Sequence, residues 1–104
     1  MTTYRDRLTE AMTMLAEDPR VVFLGQSIVA GGTAMTATFR DVPRERLIET
    51  PVFEDTQMGI ATGLSLTGAI PVAVYPRINF LLLATSQLVL HLDALSLFSD
   101  FRPK

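Results

Sequence analysis

The chain of 104 residues contains no cysteine and a single histidine. The first absence excludes disulfides, thiolate nucleophiles and cysteine-based zinc sites, and the second leaves no histidine set for a metal. An excess of positive charge is also missing. Nine Lys and Arg stand against eleven Asp and Glu, for a formal net charge of -2 and a pI near 5.2. That excludes the basic footprint of a nucleic-acid-binding surface. The opening segment, MTTYRDRLTEAM, has no apolar signal-peptide core, so a cytoplasmic location is expected. No internal repeat or low-complexity tract interrupts the chain.

What is present fits one domain with a modest core: 48% of residues are apolar and 19% are charged. One apolar stretch, NFLLLATSQLVLHLDALSLF at residues 79 to 98, is long enough for a membrane span. Gln87, His91 and Asp93 would lie well inside it, which is costly in lipid, so a buried helix of a soluble domain is expected.

Thr3 can cap a first helix, with Asp6 as the reciprocal partner of a capping box. Tyr4, Leu8, Ala11, Met12 and Leu15 then give that helix an apolar stripe. VVFLG at 21 to 25 reads as a buried strand, followed by a Gly/Thr/Ala-rich connection with one helical turn near 35 to 39. RLIET reads as a second strand ended by Pro51, and residues 54 to 68 as a helix stopped by Gly68. IPVAVYP is a third strand, apolar enough to be covered on both faces, and a long helix begins near Asn79.

Strands joined through helices predict an α/β fold, doubly wound, with a mainly parallel sheet and helices on both faces. Ligands of such sheets bind beyond the carboxyl ends of the strands. The loop after Gly25, Glu54 and the segment YPRINF all fall there.

Glu54 by itself reads as a first-turn acid that complements the helix dipole, as Asp55 beside it could. Gly59 and Gly63 are harder to explain, because each costs a helix interior about 1 kcal/mol relative to Ala. They lie four apart on one face, with Thr67 continuing the row. Such a row serves close packing inside the domain or a helix contact across a subunit interface.

The run Phe53-Glu54, four residues, Gly59-Ile60, two residues, Gly63-Leu64 resembles the signature of the pyrimidine-binding domain of thiamine-diphosphate enzymes. RLIETPVFE and YPRINFLLLATSQLVLHLDAL resemble the flanking segments in 2-oxoacid dehydrogenase beta subunits and the transketolase group. The resemblance implies a thiamine-diphosphate-binding fold and a catalytic role for Glu54. In the family this carboxyl hydrogen-bonds a ring nitrogen of the cofactor's aminopyrimidine, so that the cofactor can attack a carbonyl. It implies a dry cleft around Glu54 that raises its pKa.

The resemblance also implies that Phe80 packs on the pyrimidine, with Ile78 and Leu83 as apolar wall; alone, Phe80 reads equally as a core residue. A subunit interface along Gly59, Gly63 and Thr67 follows from it too. Arg77 stands where relatives often carry an aromatic or small residue, and Asp55 is unusual directly after the catalytic Glu. Gln87 and His91 share a helix face and are expected to be core or interface residues outside the site.

The family's Gly-Asp-Gly motif, which with a later Asn holds Mg2+ and the diphosphate, is absent from the sequence. The expectation is therefore half of an active site. Thiamine diphosphate would be completed by a diphosphate-binding, alpha-type partner that carries the Mg2+, in a homo- or hetero-oligomer with no nucleic acid and no membrane. Relative to the family, residues 1 to 104 are expected to be a C-terminally shortened pyrimidine-binding domain. The reaction class would be that of a 2-oxoacid dehydrogenase or transketolase-like enzyme. The alternative is a non-catalytic assembly or regulatory module that keeps the fold and the glycine-lined interface.

Overall fold

Helix α1 (Tyr4–Leu15) begins at Thr3, whose hydroxyl accepts from the Asp6 N–H while the Asp6 carboxylate accepts from the Thr3 N–H. The capping box therefore forms as expected in the computed structural model, which describes residues 1–103. Strand β1 (Val21–Gly25) follows, then a 3-10 turn (Thr36–Phe39), strand β2 (Leu47–Glu49), helix α2 (Glu54–Leu66) and strand β3 (Ile70–Val74). Gly68 ends the α2 connection with φ +102, a conformation open to glycine.

The three strands form one parallel sheet in the order β2-β1-β3. β1 is central, and its alternation divides the core. Val21 and Phe23 join Ile28, Phe39, Val42 and Leu47 on one face, where Met12 and Ala16 from the α1 side and Val72 and Val74 pack against them. The rings of Phe23 and Phe39 meet edge to face at 5.4 Å, adding about 0.5–1.5 kcal/mol beyond burial. On the other face Met58, Ala61 and Ser65 of α2 border a hollow shared with Pro71 and Ala73. The α/β, doubly wound plan holds: helices cover both faces of a parallel sheet.

Three expectations need correction. The stripe of α1 is only partly buried: Tyr4, at 80% exposure, and Leu15 face outward, and the buried residue of the helix is Thr9. β3 is an edge strand, half-buried at every position, which suits Pro71 because an edge residue needs no ladder donor. The stretch 79 to 98 is neither one helix nor buried.

That stretch divides into α3 (Ile78–Leu81), a 3-10 turn (Leu82–Ala84), a π-helical segment (Gln87–Leu92) and α4 (Leu95–Phe98). A bend of 52° separates Ile78–Ala84 from Gln87–Phe98. One local and one long-range hydrogen bond lie at the break. The Thr85 hydroxyl donates back to the Leu82 carbonyl at 2.6 Å, and Ser86 turns aside to donate to Asp55 Oδ1 at 2.7 Å. Among the described residues no single helix is long and apolar enough to cross a membrane. Ala84 alone is fully covered in the bent segment, while Leu82, Leu90, Leu97 and Phe98 face outward.

Two contacts fix the sheet. Arg46, just before β2, donates to the carbonyls of Asp18 (2.9 Å), Val21 (2.8 Å) and Pro19, joining the end of α1 to the sheet. At the other end of β1, Gly25 pairs with Val74 so closely that a Cβ would run into the Val74 carbonyl oxygen. Gly25→Ala must push backbone away from backbone. It should lower stability by roughly 1–3 kcal/mol in urea unfolding, and an unchanged midpoint would mean that β1 and β3 separate freely there.

Candidate functional site

With strand order β2-β1-β3, the chain reverses its direction of travel across the sheet at β1, so the crevice beyond the C-terminal ends of β1 and β3 is the topological switch point. A cleft of about 430 Å³ lies there, lined by Gln26 and Ser27 after β1, Thr33 from the loop, and Pro76, Arg77 and Phe80 after β3. A larger hollow of about 620 Å³ runs along α1, bordered by Asp6, Glu10 and Arg40, and contains none of the expected site residues. Sheet geometry therefore favours the smaller cleft.

The β1 side of the cleft is held by Glu49, the last residue of β2. Its carboxylate accepts from the main-chain N–H groups of Ser27 (2.7 Å), Ile28 (2.9 Å) and Val29 (2.8 Å). Ser27 has φ +61, a left-handed conformation that non-glycine residues seldom adopt. The Thr36 hydroxyl lies 2.7 Å from the Ser27 carbonyl and 3.0 Å from that of Ala30, closing the loop from behind. Partial burial pushes the Glu49 pKa up, but the N–H groups of Val29, Ser27, Ala30 and Ile28 outweigh it and hold the carboxyl below the usual glutamate range.

Glu54 opens α2 at the same edge of the sheet, half-buried, and its carboxylate makes no hydrogen bond or ion pair among the described residues. Its backbone, by contrast, is firmly placed. The Tyr75 hydroxyl donates to the Glu54 carbonyl at 3.1 Å. One turn on, the buried Gln57 amide donates to the Leu24 carbonyl at 3.1 Å and the Val74 carbonyl at 3.0 Å, so the helix start is tied to β1 and β3 at once. Thr50 and Gln57 Oε1 complete this buried polar group at 3.5 Å. Burial first, and then the negative charges of Glu54 and Asp55, push the Tyr75 phenol up, so it stays a hydrogen-bond donor.

Phe80 is half-buried in the cleft, with the Arg77 guanidinium over its ring at 5.9 Å. Glu54 stands at the same sheet edge but does not line this cleft. Ile78 and Leu83 are 77% and 61% exposed, so any apolar wall they form needs a surface opposite them. His91 is exposed on the π-helical segment, which removes the core reading of that residue. Gln57, Tyr75 and Glu49 had not been singled out from sequence. A polar residue one turn after Glu54 on the inward side of the helix was the available signal for Gln57. Nothing local marked Glu49.

The glycine row has no steric explanation inside the chain. A Cβ on Gly59 would meet the Gln87 side chain at 3.7 Å, an ordinary contact, and one on Gly63 would meet nothing within 4 Å. Thr67 is exposed beyond them.

Gly63→Ala should therefore stabilise the isolated chain by about 0.5–1 kcal/mol in thermal or urea unfolding. A loss of stability would show that the helix needs glycine for its own packing. The Glu49 contact gives a pH signature. A carboxyl with a depressed folded pKa adds stability above its unfolded pKa, near 4.3, and that stability is lost as pH falls through the folded value. Wild type should thus lose stability more steeply than Glu49→Gln below about pH 4.3, at a cost to the variant near neutrality on the order of 1 kcal/mol after solvent screening. Parallel pH profiles for the two would contradict the contact.

Residues 1–98 match the family described as the transketolase pyrimidine-binding domain. The chain is 33% identical over 87 residues to the pyruvate dehydrogenase E1 component subunit beta of Chaetosphaeridium globosum, covering 81% of this chain and 26% of that protein. The corresponding subunit of Mesostigma viride is 31% identical over 97 residues (86% and 30%), and the mitochondrial one of Chaetomium thermophilum is 32% identical over 91 (84% and 24%). The chain thus spans only 24–30% of the length of these relatives. With a parallel sheet of matching kind and a family match over nearly its whole length, this chain belongs to the transketolase pyrimidine-binding domain family of thiamine-diphosphate enzymes.

Proposed function

We propose that this chain is the pyrimidine-binding half of a thiamine-diphosphate-dependent enzyme acting on a 2-oxo acid or a related carbonyl donor, with Glu54 as the activating carboxyl. The observation that carries the proposal is the contrast within Glu54 itself. Its main chain is fastened by Tyr75 and, through Gln57, to two strands, while its carboxylate is left without a partner among the described residues. A fixed backbone with a free, half-buried acid at a ligand-binding edge suits a proton-sharing role.

The residues present fit the pyrimidine end of the cofactor. Glu54 offers a carboxyl to a ring nitrogen, and Phe80 offers an aromatic face to a flat heterocycle, with Ile78 and Leu83 beside it. When bound, thiamine diphosphate supplies a thiazolium carbon that adds to carbonyls and an electron sink for the bonds then broken. The part of this chain is to orient the pyrimidine and to hold a proton at Glu54. A closed site must also exclude water from that carboxyl, and here it stays half-open. A second surface is therefore required.

The Gly-Asp-Gly motif that in the family serves the anionic end of the cofactor does not occur in this sequence. An alpha-type partner carrying Gly-Asp-Gly and an Asn would hold the Mg2+ and the diphosphate. The open face at Gly63 and Thr67 and the outward Leu90, Leu97 and Phe98 supply surface for such an assembly. The same surface serves the second reading, a non-catalytic assembly module, and only chemistry separates the two.

The test is exchange of the thiazolium proton with solvent in the assembled complex. Glu54→Gln should slow it by about 10²–10⁴-fold without changing assembly. Exchange at the wild-type rate in the variant would remove Glu54 from the role, and no exchange with the wild-type chain would favour the non-catalytic module.

A further inference from the structure

The cleft at the β1/β3 switch point has a chemical character of its own. Three of the residues lining it have polar side chains without a hydrogen-bond or ion-pair partner among the described residues: Gln26, Ser27 and Arg77. Other charged groups of the fold are engaged close by. Glu49 is consumed by the loop N–H groups, and Asp55 accepts from Ser86. Arg77 is the one cationic residue among those lining the cleft, and no carboxylate lines it. Its guanidinium lies over the Phe80 ring, an arrangement that limits the side-chain freedom otherwise lost on binding.

The left-handed Ser27 adds a second, independent observation. The loop around it is held by five hydrogen bonds, three into Glu49 and two from Thr36, of which two are made by Ser27 itself, a residue that lines the cleft. Strain that the surroundings enforce so fully is found where a side chain must be aimed.

We propose that this cleft recognises a single carboxylate, paired with Arg77 and hydrogen-bonded by Gln26 and Ser27, and that the ligand carrying it is the enzyme's carbonyl substrate. The identity of that ligand as substrate rests on the function proposed above; the carboxylate site itself does not. A planar guanidinium matches a carboxylate with two parallel hydrogen bonds, and an amide and a hydroxyl can meet the remaining lone pairs. Phosphate shares this oxyanion chemistry. A diphosphate would bring more negative charge than the one arginine of the lining balances. The cleft therefore selects a small, singly charged acid.

The test is an NMR titration of the full chain with pyruvate, its neutral methyl ester and inorganic diphosphate, following the amide and side-chain signals of Gln26, Ser27 and Arg77. Pyruvate should shift these signals saturably and bind at least about tenfold more tightly than the methyl ester. Arg77→Gln should reduce pyruvate to the level of the ester and leave the ester unchanged, with Arg77→Lys in between. Arg77 is exposed, so the variants should keep the wild-type spectrum elsewhere. Equal binding of acid and ester, tighter binding of diphosphate, indifference to Arg77→Gln, or no saturable shift at these residues would each overturn the proposal. Failure of the Glu54 role is told apart by Glu54→Gln, which should slow thiazolium exchange yet leave the pyruvate titration intact.

Discussion

The site depends on one buried side chain, the amide of Gln57. It sits almost fully covered between sheet and helix, donating to the Leu24 carbonyl of β1 and the Val74 carbonyl of β3. These two bonds cross the point where the strands meet and fasten the first turn of α2 to both. Each such bond contributes only about 0.5–1.5 kcal/mol net, but leaving the buried amide unpaired would cost about 1–3 kcal/mol, so the arrangement is far more sensitive to loss than its strength suggests. Gly25 is part of the same junction, because the backbones there approach too closely for any side chain. With that junction in place, Glu54 begins its helix at a fixed height above the strand ends, and the Tyr75 hydroxyl holds its carbonyl.

A second constraint acts on the opposite wall of the crevice. The Glu49 carboxylate gathers successive N–H groups of the loop after β1 and so turns a Gly/Thr/Ala-rich connection into a defined surface. The two acids at this edge thus have different work. Glu49 is spent on the fold, while Glu54 is left free. The remainder of the surface shows the mark of an unfinished enclosure: Gly63 of α2 with nothing against it, and an apolar helical segment turned outward. The half-site proposed above would account for both, since a partner would cover the apolar face and dry the carboxyl together.

Much of the framework was legible in the sequence because it depends on local signals. The Thr3/Asp6 box, the β-branched run at 21 to 25, Pro51 before α2 and Gly68 after it each act within a few residues. The edge location of Glu54 followed from strand order alone. The apolar tract at 79 to 98 misled, since its composition is that of a buried helix. A single long-range contact, Ser86 to Asp55, helps divert it, and the contact joins residues 31 apart. Glu49 and Gln57 were missed for the same reason: their partners lie 17 to 33 residues away, and periodicity carries no such information. The aim of Ser27 likewise emerges only when β2 supplies the carboxylate that enforces it.

In the function proposed above, this chain is one of two surfaces needed to hold thiamine diphosphate. The most direct measurement is a calorimetric titration of the cofactor with Mg2+ into this chain alone, into a diphosphate-binding partner alone, and into the two together. Saturable binding confined to the mixture is the predicted result. Equal affinity for this chain alone, or binding to the partner that this chain does not change, would contradict it.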